Sequence, residues 1–116
     1  MTTNSSSSPS ETGSQLTLVA FLRAKPGHGD ELGRRLFALS EPSRAEAGNV
    51  NYDLHRSIED PEVWMLYENW ATPAALDKHF EMPYMKEFVA KVGEVLASEM
   101  DLRRFSMTTR VAAPKA

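Results

Sequence analysis

Strand and helix patterns alternate along this sequence in the order β-α-β-β-α-β, and this order restricts the fold more than any other feature. The first strand segment is rich in β-branched and large apolar residues, as a well-buried strand would be, and the second alternates apolar and polar residues. Helical segments repeat apolar residues every three or four positions. The strands are predicted at residues 16–24, 50–57, 63–70 and 102–109, and the helical segments at residues 30–47 and 73–98. The order predicts an α+β fold of the ferredoxin-like type, in which the helices cover one face of a four-stranded antiparallel sheet.

Capping residues and prolines predict where the helices begin and end. Asp30 is the expected N-cap of the first helix, Pro42 is expected to interrupt it, and Gly48 is expected to end it as a C′ residue. Thr72-Pro73 has the pattern of an N-cap followed by a first helical residue. Met82-Pro83 is expected to divide the second helix into two pieces.

Covering one face of the sheet leaves the other face without a helical layer. The strand patterns put apolar side chains on that open face, namely Phe21, Met65, Tyr67 and Phe105. An apolar sheet face of this kind favours the stacking of a second sheet. We therefore expect a homodimer that forms by sheet-to-sheet packing.

Composition excludes several classes of partner. Thirteen basic residues against sixteen acidic ones give a net charge of −3, which does not supply the basic face that nucleic acid requires. The longest apolar run, residues 16–22, is far shorter than the roughly 20 residues that cross a bilayer. The chain has no cysteine, which excludes disulfides and fits a cytoplasmic location.

The chain is long enough for one folded domain. Residues 1–15 are rich in Ser and Thr and carry one charge, so they are expected to form an N-terminal tail. Residues 16–110 are expected to form the domain, and residues 111–116 a short C-terminal tail.

Four segments of the sequence resemble a known family. They are Pro42-Ser43-Arg44-Ala45-Glu46-Ala47-Gly48, Tyr52-Asp53-Leu54-His55-Arg56-Ser57, Leu66-Tyr67-Glu68-Asn69-Trp70, and Leu76-Asp77-Lys78-His79-Phe80 with Pro83. Together they are similar to the antibiotic biosynthesis monooxygenase family, and most of all to its small, stand-alone members that resemble quinol monooxygenases.

The resemblance implies a dimeric α+β barrel. Some members of the family oxygenate phenols and quinols without metal or flavin, others degrade haem, and others process small signalling molecules. Val89 stands where the haem-degrading members have a histidine that ligates iron, so a haem reaction is not expected. Leu66 stands where the polyketide-oxidising members have an Asn, although Trp70 matches them.

The histidines are the candidate bases for a cofactor-free oxygenation, which needs a proton acceptor in a dry pocket. His79 matches the family's histidine and is expected to point toward the sheet, with Glu68 as the carboxylate that orients it. A structural ion pair is the alternative for these two residues. His55 is a further candidate, either in the pocket or at the dimer interface, and His28 lies in a loop where exposure to solvent is expected.

The expected substrate pocket is apolar and aromatic. Its candidate residues are Trp70, Leu66, Tyr52, Met85 and Phe88. The same spacing is equally typical of core packing, and the sequence leaves both alternatives open.

No cofactor is predicted. His55, His79 and Glu68 have the composition of a two-histidine, one-carboxylate iron site, but they lack a local ligand spacing such as His-x-x-x-His. The glycines form no phosphate-binding loop.

The sequence therefore predicts a cofactor-independent monooxygenase that oxidises a small electron-rich aromatic of the quinol or phenol type with dioxygen. Two alternatives are a proton-transfer isomerase of a small ketone and a non-catalytic dimer that binds small ligands.

Overall fold

The computed structural model describes residues 15–109, which form the predicted α+β fold. The elements are β1 (Leu16–Arg23), α1 (Gly29–Phe37), α2 (Ser40–Arg44), β2 (Asn49–Arg56), β3 (Val63–Trp70), α3 (Pro73–Glu81), α4 (Pro83–Lys91), a short 3₁₀ turn (Val92–Glu94) and β4 (Asp101–Ser106). The strands form one antiparallel sheet in the order β2-β3-β1-β4. The predicted tails at residues 1–15 and 111–116 lie outside the described residues, apart from Gln15.

Strand register separates the sheet into two different faces. Leu18 of β1 lies opposite Glu68 of β3 and Arg104 of β4, so these three residues share the face that the helices cover. The buried core forms between this face and the helices, from Leu18, Ala20, Leu22, Leu32, Leu36, Leu66, Trp70, Leu76, Met85, Val92 and their neighbours.

The other face carries the apolar residues that the sequence assigned to it. Phe21 is 37% exposed, Tyr67 39% and Phe105 52%, so a single chain leaves these rings open to water. Arg103 lies over the Phe21 ring, with 5.6 Å from its guanidinium carbon to the ring centroid. Within residues 15–109, no helix is long and apolar enough to cross a membrane.

The predicted start and interruption of the first helix are both wrong. The helix begins at Gly29, with His28 rather than Asp30 at the N-cap position, and Asp30 forms an ion pair with Arg56 from the first turn. The interruption lies at residues 38–39, before Pro42, which is the third residue of α2. Proline is tolerated there because the first turn of a helix has no partner for its N–H groups.

Gly48 does not end a helix, because α2 already ends at Arg44. Gly48 instead lies where α3 comes very close to the backbone: a Cβ atom built at Gly48 would lie 2.4 Å from the Cβ of Ala75 in α3. The absence of a side chain at Gly48 therefore allows α3 to pack directly against the segment before β2.

The second helix starts and divides as predicted. The Thr72 side chain accepts a hydrogen bond from the Ala75 N–H at 3.1 Å, and Met82 adopts an extended conformation between α3 and α4. The helix is shorter than the predicted end at residue 98, since α4 ends at Lys91. The last strand is also shorter than the predicted residues 102–109.

Replacing Gly48 by Ala should destabilise the protein, because the new methyl group would meet Ala75 Cβ, an atom fixed to the helix backbone. We expect a loss of about 1–3 kcal/mol in the free energy of unfolding, measured by urea denaturation. Gly93→Ala is the matched control, since a Cβ there has no neighbour within 4 Å. That variant should be neutral or gain about 0.4–1 kcal/mol, and equal stability of the two variants would contradict the packing role of Gly48.

Candidate active site

A narrow cavity lies between the covered face of the sheet and the helices. Its walls are mostly apolar, but three ionisable side chains also line it: Tyr52, Glu68 and His79. The open space measures about 20 Å³, roughly the room of one or two water molecules. Val89 and Leu102 line the cavity and are 46% and 44% exposed, so its opening lies between α4 and β4.

Helix α3 brings His79 into this cavity. The helix packs against the Gly48 segment through Ala75, and Leu76 enters the core one residue later. His79 follows Leu76 by three positions and therefore lies on the same inward face. Only 1% of its surface remains exposed.

The partner of His79 is Glu46, which lies between α2 and β2. The distance from His79 Nδ1 to Glu46 Oε2 is 2.7 Å, and the Tyr84 hydroxyl donates a hydrogen bond to the same carboxylate oxygen. Since an ionised carboxylate only accepts hydrogen bonds, the imidazole proton lies on Nδ1. Nε2 is then left as the proton acceptor of the ring.

The surroundings keep this histidine neutral. Burial lowers the pKa of His79 below its ordinary value, against the opposing effect of Glu46. Burial and the hydrogen bond to Glu46 raise the pKa of Tyr84 to about 12, so Tyr84 stays protonated. The cluster at neutral pH is therefore a neutral imidazole, a carboxylate and a phenol.

The predicted hydrogen bond between Glu68 and His79 is not formed. Glu68 Oε1 instead accepts a hydrogen bond from the Trp70 indole N–H at 2.9 Å. The Trp70 ring packs against the His79 ring with 4.5 Å between centroids. Trp70 thus lies beside both residues, as a fully buried wall behind the histidine rather than on the cavity surface.

Glu68 is an unusual carboxyl group because it is 3% exposed and has no basic partner among residues 15–109. Burial raises its pKa to about 7, with a further contribution from Glu46 and an opposing one from the Trp70 hydrogen bond. Burial also raises the pKa of Tyr52 far above its ordinary value, and the charge of Glu68 adds to this effect. With a pKa of about 7, Glu68 changes charge near neutral pH.

Four of the five predicted pocket residues line the cavity: Leu66, Tyr52, Met85 and Phe88. His55 does not, because it lies on the open face of the sheet, where its Nδ1 is 3.2 Å from the Asp53 carbonyl oxygen. His55, His79 and Glu68 therefore do not come together. Within residues 15–109, no three His, Asp or Glu side chains are placed to share a metal ion.

A second, shallow groove lies on the outside of the same cluster. Its walls include Glu46 and Tyr84 together with Pro42, Ala45, Lys78 and Met82, and its volume is about 390 Å³. The Glu46 carboxylate therefore lies between the internal cavity, which His79 lines, and the protein surface.

Sequence reasoning did not assign Glu46 to the site. Arg44, two residues earlier, binds the Tyr52 carbonyl and the Asp53 carboxylate and does not contact Glu46. The close contact between Gly48 and Ala75 brings α3 next to the segment before β2. Glu46 and His79 lie on these two segments, so they meet in space although they are far apart in sequence.

Comparison with known proteins gives a consistent result. Residues 15–91 match the family described as antibiotic biosynthesis monooxygenase. Two similar proteins carry the name "Putative monooxygenase": YcnE of Bacillus subtilis is 31% identical over 80% of this chain and 98% of its own length, and Rv0793 of Mycobacterium tuberculosis is 34% identical over 72% and 81%.

Solved structures show the same fold. The structure of PA3566 from Pseudomonas aeruginosa is 34% identical, with a TM-score of 0.79 over 84% of this chain and 98% of its own. The structure of Rv0793 aligns with a TM-score of 0.80 over 85% of this chain and all of its own.

The pKa of Glu68 makes stability depend on pH. In the folded protein this pKa is raised from 4.5 to about 7, so the stabilisation from its protonated form is present at low pH and is lost as pH rises through about 7. Relative to Glu68→Gln, the wild type should lose about 2–3 kcal/mol of unfolding free energy between pH 5 and pH 8. Urea titrations at each pH measure this difference.

Glu59→Gln removes an exposed carboxylate and is the control, with no such pH-dependent difference from the wild type. A constant difference between wild type and Glu68→Gln across this range would contradict the buried, protonated state of Glu68.

Proposed function

The chain belongs to the antibiotic biosynthesis monooxygenase family, and from this premise we propose that it is a cofactor-independent monooxygenase of small electron-rich aromatics of the quinol or phenol type. The names of its relatives support a monooxygenase. The aromatic substrate and the absence of a cofactor are our inference from the site. The cysteine-free sequence supports a cytoplasmic location.

The observation that carries the proposal is the hydrogen bond of a buried, neutral His79 to Glu46 at 2.7 Å. It fixes the imidazole with Nδ1 protonated, so that Nε2 can remove a proton from a substrate in the cavity. The imidazolium that forms is stabilised by the adjacent carboxylate, as in other histidine–carboxylate pairs. In this proposal His79 is the catalytic base, and Glu46 and Tyr84 are positioning residues.

The reaction needs no external reductant. With anthrone as an example, His79 takes a proton from the acidic CH₂ group, and the resulting anion transfers one electron to dioxygen. The carbon radical and superoxide combine into a C–O bond. Cleavage of the O–O bond then leaves a new carbonyl on the carbon and releases water. One anthrone and one dioxygen give one anthraquinone and one water, and all four electrons come from the substrate.

The protein's contribution to this chemistry is a dry site and a path for protons. The small, mostly apolar cavity keeps bulk water away from the radical pair until it combines. The proton on His79 can leave through Glu46, which the surface groove exposes to solvent. Met85 and Phe88 of α4 line the cavity, and the flexible Met85 side chain suits a pocket that widens around a ring.

A proton-transfer isomerase is the second candidate. It is favoured by the presence of a neutral imidazole and a carboxyl group with a pKa of about 7 in one cavity, since that pair can remove and return a proton. Turnover of a small ketone without oxygen uptake would identify this activity. Binding without any product would identify a non-catalytic ligand-binding protein.

We also propose a homodimer through the open sheet face. Phe21, Tyr67 and Phe105 are exposed on this face, and no element of residues 15–109 covers them. Stacking a second copy there buries these rings in both subunits at once.

Sedimentation equilibrium tests the dimer. The wild type should sediment at twice the chain mass of 12.9 kDa, whereas Phe21→Asp should sediment as a monomer because it puts a charge into the interface. Phe37→Asp is the matched control, since Phe37 is 72% exposed on α1, away from the open face, and this variant should remain dimeric. A monomeric wild type would contradict the proposal.

Oxygen uptake tests the enzymatic proposal. Metal-stripped protein should consume oxygen with reduced naphthoquinols or anthrones faster than their spontaneous oxidation. His79→Ala should lower that rate by about 10²–10⁴-fold, because the base is lost. His28→Ala is the matched control: it removes a histidine in the loop before α1, outside the cavity and the open sheet face, and should leave the rate unchanged. Equal rates in wild type and His79→Ala would remove the role proposed for His79.

A further inference from the structure

We propose that Glu68 is a neutral hydrogen-bond donor to substrate, and that the site therefore takes aromatics that carry a ketone or quinone oxygen in addition to the proton that His79 removes. This inference rests on the proposed function for the identity of the base. It adds a second polar contact on a different wall of the cavity, and with it a substrate class.

The carboxyl group of Glu68 is incompletely hydrogen-bonded. Glu68 is 3% exposed, and its Oε1 accepts one hydrogen bond, from Trp70. The other oxygen has no partner in the part of the chain that the structure describes. Buried polar groups are nearly always satisfied, so a partner is expected inside the cavity that Glu68 lines.

The surroundings of Glu68 favour its protonated state. A carboxylate would need a cationic or donor-rich environment, and the neighbouring groups do not supply one. Glu46 is negative, while the pKa values of Tyr52 and Tyr84 are raised and that of His79 is lowered, so all three are neutral. Arg104 of β4 shares a row across the sheet with Glu68, but Leu18 lies between them and Arg104 is exposed to solvent.

A protonated carboxyl group changes what the cavity can bind. It has one O–H donor, and in an apolar cavity the matching ligand group is an acceptor such as a carbonyl oxygen. The Trp70 indole lies beside both Glu68 and His79, so acid and base remain separate groups instead of neutralising each other in an ion pair. The pair can then act on two different positions of one substrate.

This arrangement suits the proposed chemistry. When His79 removes a proton from an anthrone-like substrate, negative charge develops on the conjugated carbonyl oxygen. A hydrogen bond from Glu68 to that oxygen becomes stronger as the charge grows, which is the condition for stabilising a transition state. A quinol that passes through its keto tautomer meets the same requirement.

Equilibrium dialysis with 2-methyl-1,4-naphthoquinone tests the inference without turnover. This probe offers carbonyl acceptors and has no ionisable group. The wild-type affinity should fall about tenfold between pH 6 and pH 8, because the donor is lost as the Glu68 carboxyl ionises near pH 7. Glu68→Gln keeps an N–H donor at every pH, so its affinity should be independent of pH. Glu59→Gln should behave like the wild type.

Three results would overturn the inference: a wild-type affinity that does not change between pH 6 and pH 8, a Glu68→Gln affinity that keeps the wild-type fall, and no saturable binding of the quinone. The wild-type curve alone decides the matter if Glu68→Gln does not fold. The outcome is independent of the oxygenase proposal, which fails if quinone binding shows the expected pH dependence while no quinol or anthrone supports oxygen uptake.

Discussion

The hydrogen bond between His79 and Glu46 holds together the parts of the molecule on which the site depends. It joins α3 to the segment before β2 at 2.7 Å, next to the point where Ala75 of α3 packs closely against Gly48. The same bond satisfies a buried imidazole, which would otherwise destabilise the fold. The same contact therefore contributes to the stability of the fold and to the geometry of the site. A substitution that separates α3 from the segment before β2 should affect both.

The fold was predictable from the sequence because its signals are local. The apolar run of β1, the alternation in β2, the Thr72 cap and the break at Pro83 depend on neighbouring residues, and each was confirmed. Boundaries were less predictable. The position of Pro42 did not reveal that it lies in the first turn of a separate helix, where its missing N–H has no cost.

The site was predictable only in part, because its decisive contacts join residues far apart in sequence. Period two correctly placed Leu66, Glu68 and Trp70 on the covered face, and helical spacing correctly turned His79 inward. The choice of partner did not follow from these patterns. Two carboxyl groups, Glu46 and Glu68, were candidates for one histidine, and the structure shows that Glu46, which lies beside the contact of α3 with Gly48, is the partner.

The pairing of His79 with Glu46, and not with Glu68, has a chemical consequence. If Glu68 had bound His79, the cavity would hold one base and no independent acid. With Glu46 bound to His79 from the outer side, Glu68 is left in an apolar layer without a counter-charge, and burial raises its pKa to about 7. The fold bears the cost of that buried acid in lower stability at high pH. The carboxylate that holds the base His79 lies outside the cavity, whereas the acid Glu68 has an oxygen without a partner inside it. Such a site is suited to remove a proton from one end of an aromatic ketone while it stabilises negative charge at the other.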